Sequence, residues 1–572
     1  MRDLVIRGGV VVDGSGAAPF EADVAIEGGR IVEVGKDVGS ARREIDARGN
    51  LVTPGWVDIH THYDGQATWD PELAPSSWHG VTTAIMGNCG VGFAPVRPGR
   101  EQFLIELMEG VEDIPGSALA EGIDWRWERF SEYLDALEAR PRVLDVGVQV
   151  PHGAVRAYVL AERCNTDYQP SAGEIAEMAS LVREGVSAGA VGFSSSRTLL
   201  HRDKSGVHVP GTFAGSEEML ALASSMTGLS HGIFEMVSDH LGEEDEWAWV
   251  QAFARATGLP VTLVATSAGA YEGDRMFKIA EAARREGIEI RPQIAGRPTG
   301  ILHGLQSSFN VFMGHPTWRS EIAQLSDLAK VRAFRSPELR TRILSEESEF
   351  RSGFLGRSLS DLLWQVFPLG DRPDYEPDRE ASVGALAEAA GTPAMAMMYD
   401  LLLRDEGAEL FYQPLGGYQT YNFDFFRKNM AHPNVLFGLS DGGAHCGVIA
   451  DAGMPSFVLA YWGRDRMKGE KFPLEFLVRK LTQDTASAYG LNDRGRIEAG
   501  LLADINIIDF PKLQLHRPEA IHDLPASGRR LVQRVDGYRY TIKSGEVTLE
   551  DGDFTGSRPG GLVRGGREAR IN

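Results

Sequence analysis

The sequence predicts an α/β fold: a (β/α)8 barrel of the TIM type, with a small β-sandwich built from both chain termini. Three observations lead there. The middle of the chain alternates short apolar runs with helix-length amphipathic segments, the pattern of parallel βα units. Both ends instead show short alternating runs closed by glycine, such as LVIRG, VVVDG and DVAIEGG early and YRYTIKSGEVTLEDG late, which read as hairpins. At 572 residues the chain is too long for one ordinary core and long enough for a barrel plus a smaller unit.

Eight candidate strands can be placed in order: GWVDIH (55–60), VTTAIM (81–86), LDVGVQV (144–150), GAVGFS (189–194), GIFEMV (232–237), PVTLVA (260–265), IEIRPQ (288–293) and NVLFGLS (434–440). Helical segments lie between them, with Ser171 and Ser216 expected as N-caps ahead of acidic first turns. The expected boundaries are residues 1–54 plus 485–572 for the β unit and 55–484 for the barrel. The stretch from about 295 to 430 is far longer than a crossover of roughly 10 to 15 residues, so it is expected to be an insertion. Its apolar content, as in FYQPLGGYQTYNFDFF, suits a packed lid or an oligomer surface, and a homo-oligomer is expected.

Composition excludes several classes of function. The formal charge of -22 repels phosphate backbones and anionic membrane surfaces, so neither nucleic acid nor membrane is an expected partner. No apolar run approaches ~18 residues. The three cysteines, Cys89, Cys164 and Cys446, are too few for a disulfide framework and fit a reducing cytoplasm.

Chemistry concentrates where strands end, at the C-terminal rim of such a barrel. Read alone, the two histidines of VDIHTHYDG are as well explained as core residues. Residues two apart on an extended segment share a face, however, so Asp58, His60 and His62 point together, and two imidazoles from one strand suit a divalent cation, zinc foremost. The last strand ends in SDGG, bringing Asp441 to the same rim, where a carboxylate can ligate the ion and act as general base. Strand two ends in MGNCG, placing Cys89 there as a thiolate donor.

Further candidates are weaker. His152, just past strand three, is expected to contact substrate or a developing oxyanion. Ser194, Ser195, Arg197 and His201, after strand four, offer groups for a carboxylate or carbonyl. Tyr63 lies beside the ligands as a substrate contact or a packing phenol. His79 precedes strand two and reads as structural, and His231 and His240 as surface or capping residues.

TPGWVDIHTHYDG, GVTTAIMGNCGVGFAP, LSDGGAH and DRGRIEAGLLADINIIDF together resemble the amidohydrolase superfamily, and the GNCG element resembles its D-aminoacylase (N-acyl-D-amino-acid deacylase) branch. The resemblance implies a metal-dependent (β/α)8 barrel with a β-sandwich from both ends and hydrolysis of an amide-type C–N bond in a small molecule, an N-acyl amino acid by family likeness or another linear or cyclic amide given the altered strands five and six. It implies His60 and His62 as metal ligands, Cys89 as the metal thiolate, and Asp441 as ligand and general base. The chain departs from the branch on strands five and six, which deliver metal-binding histidines there but read GIFEMVSDH and PVTLVATSA here, with Glu235 and Ala265 near those positions. The basic residue that follows the strand-eight Asp is also absent from GMPSFVLAYWGRD, where only Arg464 is near. The economical expectation is one ion, with two open, held by His60, His62 and Asp441 and completed by Cys89 and Glu235. Two other readings compete: a catalytically reduced barrel serving binding or assembly, and a metal-dependent deaminase.

Overall fold

A computed structural model describes residues 2–164, 167–241, 243–265, 270–349 and 359–565. Eight parallel strands form the central sheet: β1 (Trp56–Asp58), β2 (Val81–Met86), β3 (Asp145–Pro151), β4 (Gly192–Arg197), β5 (Phe234–Ser238), β6 (Val261–Val264), β7 (Ile290–Ile294) and β8 (Leu436–Phe437). Each pairs with its sequence neighbour, and the ring closes just beyond β1 and β8, where Thr61 bridges Gly442 in parallel. His62 N–H donates to Gly442 O at 2.8 Å and Asp441 N–H donates to His60 O at 3.1 Å.

The period of two along each strand sorts the side chains. On β3, Val146, Val148 and Val150 join the outer core shared with the helices. A separate apolar layer contains Val57, Ile59, Ile85, Val191, Ile233 and Leu436, joined by Ala486, Tyr489 and Leu491. Asn88, Gln149, Ser194, Glu235, Thr262 and Gln293 are all wholly buried polar residues. Gln149 Nε2 donates to Asn88 Oδ1 at 2.7 Å, and Asn88 Nδ2 donates to Ile85 O at 2.9 Å. Polar groups are therefore buried along several of the barrel strands.

The helix Ala172–Ala188 has the expected N-cap: Ser171 Oγ accepts from Glu174 N–H, and Glu174 reaches back to Ser171 N–H at 2.8 Å. Ser216 is instead the first residue of its helix, which Gly215 precedes as N-cap in an extended conformation. The strand expected at 189–194 is shifted to Gly192–Arg197, so the SSSR segment lies within the strand, paired alongside β5 from Phe193↔Phe234 to Arg197↔Ser238.

The β-rich terminal domain draws on both ends. Leu51–Pro54 pairs antiparallel with Ile505–Ile508, joining strands from residues 2–46 to strands from 538–554 in one nine-stranded sheet. Leu4, Ile6, Val24, Val52, Ile505, Ile507 and Ile542 form its core. Residues beyond that sheet return to the barrel, where Gly560 pairs with Arg142 and Leu562 with Val146. Between β7 and β8, strands Gly300–His303, Phe367–Pro368 and Phe411–Pro414 form a small antiparallel sheet beside helices such as Asp327–Phe334 and Ala394–Leu401. This insertion packs its own core around Phe312, Trp318, Phe334 and Tyr399.

Buried polar pairs fasten the terminal domain to the barrel. Asp145 at the start of β3 accepts from Arg494 Nη1 at 2.5 Å and faces Lys543 Nζ at 2.9 Å, while Lys543 also meets Asp504 at 2.9 Å. Burial pushes the Asp145 carboxyl up, but these two cations outweigh it and hold it below its ordinary value. His79 is structural, as its position implied: Nδ1 bonds Ser456 Oγ and Nε2 bonds Gln533 O, both at 2.9 Å, in a fully buried site.

Burial lowers the His79 pKa from 6.5 to about 4. As pH falls from 6.5, the unfolded imidazole takes up a proton that the folded one refuses until about pH 4, so stability present above 6.5 is lost through that window. His79→Gln, which keeps a donor and an acceptor, should flatten this loss by up to roughly 3 kcal/mol in urea unfolding between pH 7 and 4. Identical pH dependence in the variant would refute the assignment.

Candidate metal centre at the barrel mouth

The donors converge through local geometry. His60 Nδ1 lies 3.0 Å from Gln293 Oε1. The amide oxygen can only accept, so Nδ1 carries the proton and Nε2 keeps its lone pair. That Nε2 lies 3.4 Å from Cys89 Sγ and 3.6 Å from Asp441 Oδ1. Ligand atoms of His60, His62 and Cys89 all fall within 4.8 Å of one another, and all three residues are buried. Thr61, between the histidines, turns its hydroxyl to Ile85 O at 2.8 Å.

The GNCG turn that presents Cys89 needs its glycines. Cys89 is left-handed at φ 54°, and Gly87 and Gly90 flank it at φ 74° and 67°. A Cβ on Gly87 would stand 2.4 Å from Gln149 O, and one on Gly90 2.8 Å from Ser196 N. Asp441 is also left-handed, at φ 49°, just where its N–H meets His60 O. Asp58, predicted to share the histidines' face, accepts from the Ser440 hydroxyl and from His60 N–H instead.

Desolvation dominates the electrostatics. Burial raises Asp441 to about 8, with Asp451 and Asp58 adding repulsion. Burial likewise raises Glu235 to about 8, although its Oε2 accepts Cys89 N–H at 2.9 Å. The Cys89 thiol is pushed well above its ordinary value by burial and then by Glu235, and His60 is lowered to about 4. His62 Nδ1, Glu235 Oε1 and Glu112 Oε2 are buried with no hydrogen-bond partner among the described residues. Such groups are costly when left unpaired, and a divalent cation relieves the cost, because thiolate, imidazole and carboxylate are its ordinary donors. The residues present therefore fit a metal of the zinc type.

The remaining sequence candidates divide. His201 stays close to the cluster: its Nδ1 bonds Ser196 Oγ at 2.9 Å, and burial, with His445 and His60 nearby, lowers it to about 3. His152 has both ring nitrogens taken by protein partners. Its Nδ1 bonds Ser195 Oγ at 2.8 Å, its Nε2 bonds Glu218 Oε1 at 3.0 Å, and it is wholly buried, which also ties up Ser195. Arg197 is likewise no free anion anchor, because Nε donates to Glu246 Oε1 at 2.9 Å and Nη1 to Ala214 O. Tyr63 packs: its hydroxyl donates to Ser76 Oγ at 2.7 Å and accepts Ser76 N–H. Arg464 bonds Asp465 and the carbonyls of Phe510 and Leu513. Ala265 is half-buried after β6, and residues 266–269 lie outside the described residues.

Two groups at the site escaped sequence reasoning. Glu112 Oε1 lies 3.3 Å from His62 Nδ1, and its Oε2 lies 3.5 Å from His445 Nε2. His445 belongs to SDGGAH and could have been flagged by that motif; Glu112 ends a helix with no motif around it.

Comparison with known proteins agrees with this geometry. The chain is 26% identical to the D-aminoacylase of Alcaligenes xylosoxydans xylosoxydans over 98% of this chain and 97% of that one. A crystal structure of D-aminoacylase superposes with a TM-score of 0.64 at 23% identity, covering 99% of this chain and 100% of that one. The N-acyl-D-glutamate deacylase of Bordetella bronchiseptica, solved with zinc and a phosphonate mimic of the tetrahedral intermediate, superposes with a TM-score of 0.62 at 22% identity, covering 98% and 99%. The family model described as the amidohydrolase family matches residues 43–549. A barrel of this topology with histidine, cysteine and aspartate gathered at its mouth, matched over that span, belongs to the amidohydrolase family.

Proposed function

We propose that the protein hydrolyses a linear amide C–N bond of a small molecule, an N-acyl amino acid being the substrate class favoured, with one divalent metal as cofactor. The observation that carries this reading is the convergence of His60, His62, Cys89 and Asp441 at the barrel mouth. Its support is the full-length similarity to a D-aminoacylase.

A divalent metal bound there would supply Lewis-acid polarisation of the scissile carbonyl and would lower the pKa of water towards about 7. His60 through Nε2, His62 and Cys89 would hold it, and Glu235, whose Oε1 has no hydrogen-bond partner among the described residues, would complete the donor set. Asp441 accepts the proton of the attacking water and passes it to the leaving nitrogen, so that a carboxylic acid and an amine leave. Our reading of one ion rather than two is supported by strands β5 and β6, which bury Glu235 and Thr262 and contain no histidine among the described residues.

Asp441→Asn should lower kcat on N-acyl amino acids by about 10²- to 10⁴-fold while the fold is kept; unchanged turnover would sink the assignment. Removing metal with a chelator should abolish activity, and zinc should restore it at close to one equivalent per chain. Cys89→Ser should raise the zinc needed for half-recovery at least tenfold, measured by titrating the stripped protein. A requirement for two equivalents would overturn the single-ion reading.

A further inference from the structure

Glu112 sits where local physics disfavours it. It is the last residue of the helix Glu101–Glu112, at the negative end of the helix dipole, and Asp113 follows in a left-handed conformation. It is 1% exposed, and burial, with Asp441 and Asp64 nearby, pushes its carboxyl well above the ordinary range. No Lys or Arg is paired with it among the described ion pairs; its neighbours at 3.3 and 3.5 Å are the imidazoles of His62 and His445. Both His62 Nδ1 and Glu112 Oε2 are buried without a completed hydrogen bond.

Both histidines of β1's extension have Nδ1 beside an acceptor, hydrogen-bonded in His60 and at 3.3 Å without a completed hydrogen bond in His62. His60 presents Nδ1 to an acceptor from β7, Gln293, which leaves Nε2 toward Cys89 and Asp441. His62 presents Nδ1 to an acceptor from the helix after β2, Glu112. The second acceptor is acidic and is shared with the loop after β8. Asp113 grips the same loop from outside, its Oδ2 accepting Gly447 N–H at 3.1 Å. Carboxylates behind metal-ligating imidazoles fix the tautomer and raise ligand basicity.

We propose that Glu112 is a positioning residue: its carboxylate accepts the Nδ1 proton of His62 and bonds His445 Nε2, fixing the His62 tautomer whose Nε2 is free for the cation. The inference rests on the metal-dependent reading of the site. It makes Glu112 part of the binding of the cation without touching it.

The test uses the full chain, stripped of metal and titrated with zinc against a competing chelator, in wild type, Glu112→Gln and Glu112→Leu. Glu112→Leu should bind zinc about 10- to 100-fold more weakly. Glu112→Gln, whose amide oxygen can still accept from one imidazole, should fall between it and wild type. The metal-stripped variants should melt at or above the wild-type temperature, because a buried carboxyl has been removed. Unchanged zinc affinity in both variants would overturn the proposal, as would a lowered melting temperature of stripped Glu112→Gln, which marks a purely structural role. A zinc-loaded structure with a Glu112 oxygen at about 2.0 to 2.2 Å from the ion would also overturn it, making Glu112 a ligand. If Glu112→Leu does not fold, the near-isosteric Glu112→Gln decides alone. Wild-type protein that binds no divalent metal would defeat the metal reading itself, whereas wild-type binding with unaltered variants would defeat only this inference.

Discussion

Two backbone hydrogen bonds close the barrel, and the site depends on them. His62 N–H to Gly442 O and Asp441 N–H to His60 O tie the end of the first strand to the end of the last. The same residues that make the seam carry the imidazoles and the carboxylate, so closing the sheet and assembling the donors are one event. The Ser440 hydroxyl on Asp58 adds a side-chain rivet at the same height. Glycines 442 and 443 permit the approach, since a Cβ at either would meet Ser76 or Tyr63 within 3 Å.

That seam is held against an unfavourable local environment. Cys89, Leu439, Asp441 and His445 all take left-handed backbone conformations, each of which costs a non-glycine residue of order 1 kcal/mol. Buried carboxyls and imidazoles crowd together with their protonation pushed away from the charged forms. Stability to offset this comes from elsewhere: the outer barrel core, the terminal sheet and the buried Asp145, Arg494, Lys543 and Asp504 network. The insertion has a core of its own around Phe312, Trp318, Phe334 and Tyr399, and also packs Leu302, Phe367, Tyr412 and Phe423 into the barrel's core.

Much of this was legible in the sequence because it is local. Eight apolar runs of strand length, H-x-H after the first, GNCG after the second and SDGG after the last are short-range patterns, and the structure puts all of them on one rim. What failed was pairing in three dimensions. Arg197 looked like an anion anchor until Glu246, 49 residues on, took its Nε. His152 looked like a rim group until Glu218 and Ser195 occupied both ring nitrogens. The shift of β4 by three residues moved its serines from a loop into the strand, because the apolar run alone does not say where pairing stops. Glu112 carried no signal, since its role exists only once a helix end, β1 and the loop after β8 come together.

The terminal sheet has a consequence for how the chain is made. Leu51–Pro54, to which the strands of the first fifty residues are joined, finds its partner Ile505–Ile508 only after the whole barrel between them has been synthesised. Until then Leu51–Pro54 presents an open edge, and open edges invite pairing with other chains. On the ribosome the N-terminal hairpins therefore wait through the whole translation of the barrel, and slow elongation lengthens their exposure to aggregation.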